Sequence, residues 1–86
     1  MLVRPREQWV FRVYGMRGEE SGLRIDDVLC RVGGVTDALT SSRTGLSIAD
    51  VDPDRCTPSD LVAAIAAAGY AARLDTRPGV VGERQR

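Results

Sequence analysis

The apolar positions of this chain switch between two periods. In "WVFRVYG" (9–15) the side chains alternate, with Trp9, Phe11 and Val13 on one face and Val10, Arg12 and Tyr14 on the other. That period of two, in a run of aromatic and β-branched residues, predicts a strand ending at Gly15. In "SGLRIDDVLCRVGG" (21–34) Ile25, Val28, Leu29 and Val32 recur at helical spacing, the stripe of an amphipathic helix. Ser21 is the expected N-cap, with Glu19 and Glu20 just ahead of it, where the helix dipole favours negative charge. Gly33-Gly34 is the expected stop.

The period of two then returns. "VTDALTSS" (35–42) and "GLSIADV" (45–51) flank the turn "SRTG" and read as a β-hairpin with a weak first arm. After the loop "DPDRC" (52–56), "TPSDLVAAIAAAGY" opens with Thr57 as N-cap, Pro58 at the first helical position and Asp60 in place for an acidic capping box. Leu61, Ile65 and Ala68 form its buried stripe, and Gly69 stops it. "YAARL" (70–74) predicts a last short strand.

The order is β-α-β-β-α-β. Two strand–helix–strand units with right-handed crossovers give a four-stranded antiparallel sheet with both helices on one face, an α+β ferredoxin-like sandwich. The expected organisation is a tail over 1–8, a domain over 9–75 and a disordered, polar tail over 76–86. With 86 residues, a single domain with a modest core is expected.

Charge and composition narrow the function. Twelve basic residues balance twelve acidic ones, which speaks against nucleic acid as the main partner. No stretch approaches the roughly 18 apolar residues of a membrane span, and "MLVRPREQW" has no apolar secretory region, so a cytoplasmic location is expected. The chain has no His, which removes the commonest metal ligand and general base. Without a nucleophile beside a base or a Gly-rich phosphate loop, the chain is not expected to be an enzyme. The pairs Glu19-Glu20 and Asp26-Asp27 read as solvated charge. The two cysteines, Cys30 and Cys56, stand in no Cys-x-x-Cys spacing and are expected to be free thiols, with Cys30 off the apolar stripe.

From residue 9 to 74 the chain resembles the heavy-metal-associated domain of copper chaperones, mercury-binding proteins and metal-pumping P-type ATPases. The resemblance rests on Gly15-Met16 after the first strand, Ile25, Leu29 and Val32 in the helix, and Gly34-Val35 after it. Asp52-Pro53, Thr57-Pro58-Ser59-Asp60-Leu61, Ala64-Ile65 and Ala68-Gly69-Tyr70 follow at matching spacings. It implies a Gly-Met-x-Cys-x-x-Cys loop whose two thiolates hold one soft ion, such as Cu(I). In this chain those two places are Gly18 and Ser21. Glycine has no ligand atom and a serine hydroxyl is hard and neutral, so tight soft-metal binding is not expected there. Met16 is implied to be a core residue beneath the loop. The same loop is implied to be a docking surface, here Met16, Arg17, Gly18, Glu19, Glu20 and Ser21, with Tyr70 beside it. A metal-transporting ATPase is the implied partner. The resulting expectation is a module that has lost its metal ligands and acts by protein contact. The rival is a Cu(I) or Hg(II) carrier using Cys30 and Cys56, or a site shared between two copies.

The family alignment carried through the hairpin turns Ala38, Thr40, Ser47, Ala49 and Val51 toward the helices. It leaves Leu39, Leu46 and Ile48 on the open face with Val10 and Tyr14. A one-residue slip or bulge would instead turn Leu46 and Ile48 inward. If they point outward, the open face is a candidate interface. Four aliphatic side chains at about 1.5–3 kcal/mol each, set against association costs of about 4–15 kcal/mol, support weak dimerisation at best.

Overall fold

Each predicted element is present, in the predicted order, in the computed structural model of the protein, which describes residues 6–76. They are β1 (Glu7–Tyr14), α1 (Glu19–Cys30), β2 (Val35–Ser41), β3 (Leu46–Val51), α2 (Pro58–Ala67) and β4 (Ala71–Thr76). The strands form one antiparallel sheet in the order β2-β3-β1-β4, so β1 and β3 are central and β2 and β4 are edges. No described helix is long and apolar enough to cross a membrane. Of the expected tails, Glu7 and Gln8 belong to β1 and Thr76 ends β4. The rest of both tails, apart from Arg6, lies outside the described residues.

The alternation in β1 sets the core. Trp9, Phe11 and Val13 are buried on the helix side and meet Ile25 and Leu29 of α1 and Leu61 and Ile65 of α2. Ala49 and Val51 of β3 complete the layer. Each large side chain buried this way contributes about 1.5–3 kcal/mol. Small residues let the helix approach the sheet. A Cβ at Gly22 would lie 3.1 Å from the Thr40 carbonyl oxygen, so α1 rests directly on β2.

The hairpin follows the family register, without the slip. Leu39 pairs with Ile48 and Ile48 with Val10, all on the open face, while Ser47, Ala49 and Val51 are buried. A bulge exists, but at Val35–Asp37, where it moves nothing in Leu46–Val51. The buried hydroxyl of Ser47 is satisfied by Thr40, 2.8 Å away, so the inward-facing polar pair carries its own hydrogen bond.

Helix α1 differs from expectation at both ends. It begins at Glu19 with Gly18 as N-cap, so Glu19 and Glu20 form its first turn and Ser21 lies inside it. It ends at Cys30, four residues before Gly34. Gly34 instead joins the turn into β2 at φ 100°, a left-handed conformation that favours glycine. Helix α2 matches expectation at its start. Thr57 Oγ1 accepts from the Asp60 amide at 3.3 Å, and Asp60 Oδ2 accepts from the Thr57 amide at 2.9 Å. Strand β4 runs two residues further than expected, to Thr76.

Candidate functional site: the Gly15–Ser21 loop

The β1–α1 loop brings together most of the residues that the sequence singles out. Arg17, Glu19 and Glu20 are exposed, and Met16 packs half-buried against the core beneath them. Tyr70 is half-buried and lies beside Gly15, within 3.7 Å of where a Cβ would stand. Gly18 is extended, with φ 175°, and has open space around its Cα. It offers the helix no side-chain cap.

Ser21 has a different role from the one expected. Its side chain is buried, and its Oγ accepts from the Arg17 amide at 3.1 Å, turning back into the loop instead of forward onto the helix. Its own amide donates to the Gly18 carbonyl at 3.0 Å. The loop is thus closed by its own backbone and one hydroxyl. The donor set does not fit a soft metal ion: Gly18 supplies nothing, and the Ser21 hydroxyl is committed to Arg17.

The remaining sulfurs lie elsewhere and in unlike settings. Cys56 is buried in the core, its thiol donating weakly to the Asp52 carbonyl at 3.7 Å. A Cβ at Gly34 would meet Cys56 Sγ at 2.9 Å, so the two residues interlock. Cys30 is exposed at the end of α1. Burial pushes its thiol up, and Asp37, Asp26 and Asp27 push it further against a small opposing pull from the Ala38 amide. Burial likewise raises Cys56, helped by Asp60 and Asp52. Both thiols stay protonated at neutral pH, the form that neither attacks nor ligates well. Both are free, and no group of three or more His, Cys, Asp or Glu among the described residues is placed to hold a metal ion.

Asp26 is a feature missed by the sequence reading, which took it for solvated charge. It lies against the edge strand β2, and burial raises its carboxyl pKa although the Thr40 hydroxyl and amide favour its charged form. The Thr40 hydroxyl is already engaged with Ser47, and Asp26 Oδ1 is left buried without a hydrogen-bond partner. Beside it, a cleft of about 340 Å³ runs from Glu19 past Leu23 and Leu39 to Arg43. Leu23 and Leu39 are 68% and 69% exposed, so apolar surface continues directly from the loop. Leu23 gave no signal in the sequence because it falls off the helical stripe.

No protein-family model and no curated protein matches the chain. Solved structures do. A copper-binding domain from HMA7, a P-type ATPase, superposes with a TM-score of 0.81 at 21% identity, covering 84% of this chain and 97% of that one. The N-terminal domain of a potential copper-translocating P-type ATPase from Bacillus subtilis, in its Cu(I)-loaded state, gives 0.80 at 24% identity, over 92% of this chain and 99% of that one. Oxidized MerP from Ralstonia metallidurans gives 0.78 at 20% identity, over 83% and 99%. The sheet order, the two helices on one face and these superpositions together establish that this chain has the fold of the heavy-metal-associated domains.

Proposed function

We propose that this chain is a heavy-metal-associated module that works by protein contact in a copper or heavy-metal transport or homeostasis system, without gripping the ion itself. One observation carries the reading: Ser21 Oγ closes the loop onto the Arg17 amide at 3.1 Å, where a carrier needs a free thiolate. The loop holds its shape by an internal bond. Its exposed Arg17, Glu19 and Glu20 remain available to a partner, and the Leu23–Leu39 cleft extends that surface with apolar area. The solved structures that superpose on the chain include a metallochaperone and ATPase domains, which supports a partner from such a system. The partner of choice is a metal-transporting P-type ATPase or a soluble metal carrier.

A shift titration of the labelled chain with the soluble domains of such an ATPase tests this. Changes confined to residues 16–21, Leu23 and Tyr70 support the reading. Saturating partner with no change at the loop refutes docking there. The metal side has its own test. Gly18→Cys with Ser21→Cys restores a thiolate pair at a helix N-terminus and should turn a chain that loses to a Cu(I) chelator into one that competes with it. If the unchanged chain already competes, the lost-ligand premise fails.

A further inference from the structure

We infer that the open face of the sheet is an interface for a second copy of this chain, matched by charge across a two-fold axis. The register lays the outward side chains out in rows. Asp37, Asp50 and Gln8 form the first row, and Leu39, Ile48 and Val10 the second. Ser41, Leu46, Arg12 and Arg73 form the third. One corner of the face, on β2 and β3, is therefore acidic. The opposite corner, on β1 and β4, is basic, and an apolar band separates them.

Two facts keep the corners unequal. Asp37 Oδ1 accepts from the Ala38 amide at 3.0 Å, and the residue is exposed. Arg12 is loosely paired with Asp75 at 3.7 Å, which leaves Arg73 as the cation of the basic corner with no such ion pair among the described residues. The apolar band is exposed, Leu39 at 69% and Ile48 at 37%, and Tyr14, beyond the basic row, is 47% exposed. Beside the acidic corner is a hollow of about 200 Å³ lined by Gln8, Asp37, Leu39, Ile48 and Asp50.

A two-fold axis lying in the face and passing between Val10 and Ile48 satisfies all of this at once. It crosses the two apolar bands at the axis, so that Val10 and Ile48 of one copy meet those of the other. It also brings Arg73 of each copy to the hollow between Asp37 and Asp50 of its partner. The strands of the two sheets then cross steeply, near the orthogonal arrangement of about 90° that sheet pairs adopt. A head-on stack with parallel strands would leave Arg73 without a carboxylate. The pattern is self-complementary, as an isologous interface requires. Four strands about 4.8 Å apart and six residues of about 3.3 Å give a flat patch on the order of 400 Å² per copy. That is about half the standard 800 Å² per partner, so the dimer is weak, with a dissociation constant between about 10 μM and 1 mM.

Sedimentation and diffusion measurements on the whole chain at rising concentration test the inference. At low ionic strength a dimer should form. It should weaken at least tenfold near 1 M salt, where the screening length falls to about 3 Å. Asp37→Asn combined with Asp50→Arg, and Arg73→Asp, should each abolish it, because each places like charges together twice. Mixed in equal amounts, those two variants should re-form a dimer, since both cross-contacts are then opposite in sign. Ile48→Lys should leave a monomer with unchanged amide dispersion, and Leu39→Glu serves the same purpose should Ile48→Lys unfold. A chain that stays monomeric to about 1 mM at low salt, or a dimer that survives Ile48→Lys, overturns the proposal. So does a failure of the mixed variants to pair.

Discussion

The two strand–loop–helix crossovers of this fold do the same topological work with opposite chemistry at the turn. After β3, the chain enters α2 through a complete capping box, Thr57 with Asp60, and Cys56 is locked beneath Gly34. After β1, it enters α1 through Gly18, with no side-chain cap, and the nearby Ser21 hydroxyl serves the loop instead of the helix. The α2 entrance is built to stay closed. The α1 entrance is held by the Ser21 hydroxyl and a backbone bond to Gly18, and it presents charge to solvent. Stability and availability are thus divided between two entrances that the fold makes equivalent.

Substitutions at the two glycines give the widest contrast. Gly34→Ala forces a side chain into φ 100° and within 3.1 Å of three Arg55 and Cys56 atoms. Left-handed backbone at about 1–2 kcal/mol and overpacking at about 1–3 kcal/mol predict a loss of about 2–5 kcal/mol, read by urea unfolding. Gly18→Ser, with extended backbone and nothing within 4 Å, should shift stability by only a few tenths of a kcal/mol, as a small gain. Equal losses at the two sites would erase the distinction.

Thr57→Ala removes half of the capping box and should cost about 1 kcal/mol by the same measurement. Ser21→Ala removes the bond to the Arg17 amide and should cost about 0.5–1.5 kcal/mol, with faster exchange at that amide and none of the change reaching α2. A Ser21→Ala loss that spreads to the Thr57 entrance would mean that the two are coupled, and the contrast would need to be redrawn.

The smallest effect concerns pH. Asp26 has its carboxyl pKa raised above 3.8, chiefly by burial, so the folded chain takes up this proton more readily than the unfolded chain. The stability it contributes is therefore complete below pH 3.8 and is lost as pH rises through the raised value. Asp26→Asn should flatten this decline in urea midpoint across the acid range, with the variant gaining on the parent as pH approaches neutrality. A parent–variant difference that does not change with pH would show that Asp26 titrates no differently in the fold.

The local signals were read well where the physics is local. Thr57-Pro58-Ser59-Asp60 announces a helix start through bonds spanning three residues, and these bonds are present. The same logic failed at Ser21, which lies in the first turn of α1, not at its cap, and whose hydroxyl accepts from an amide four residues upstream. Asp26 looked solvated because its neighbour Thr40 is fourteen positions away in the chain. The hairpin register was open from composition alone, since large apolar residues ordinarily face inward. It was decided by Trp9, Phe11 and Val13 on the neighbouring strand, whose pairing partners include Ala49 and Ser47.

By itself, the sequence determined the order of the six elements, the large core residues Trp9, Phe11, Val13, Ile25, Leu29, Leu61 and Ile65, and the lack of thiols in the β1–α1 loop, although Val28 and Ala68, expected on the buried stripes, lie outside the core. Those follow from periodicity and residue chemistry, which act over a few positions. Only the tertiary structure decided that Ser21 seals its own loop, that Cys56 interlocks with Gly34, and that Leu39, Ile48 and Val10 face solvent between an acidic and a basic corner. Those outcomes depend on which distant strand supplies each neighbour, and a strand's register moves a whole face at once.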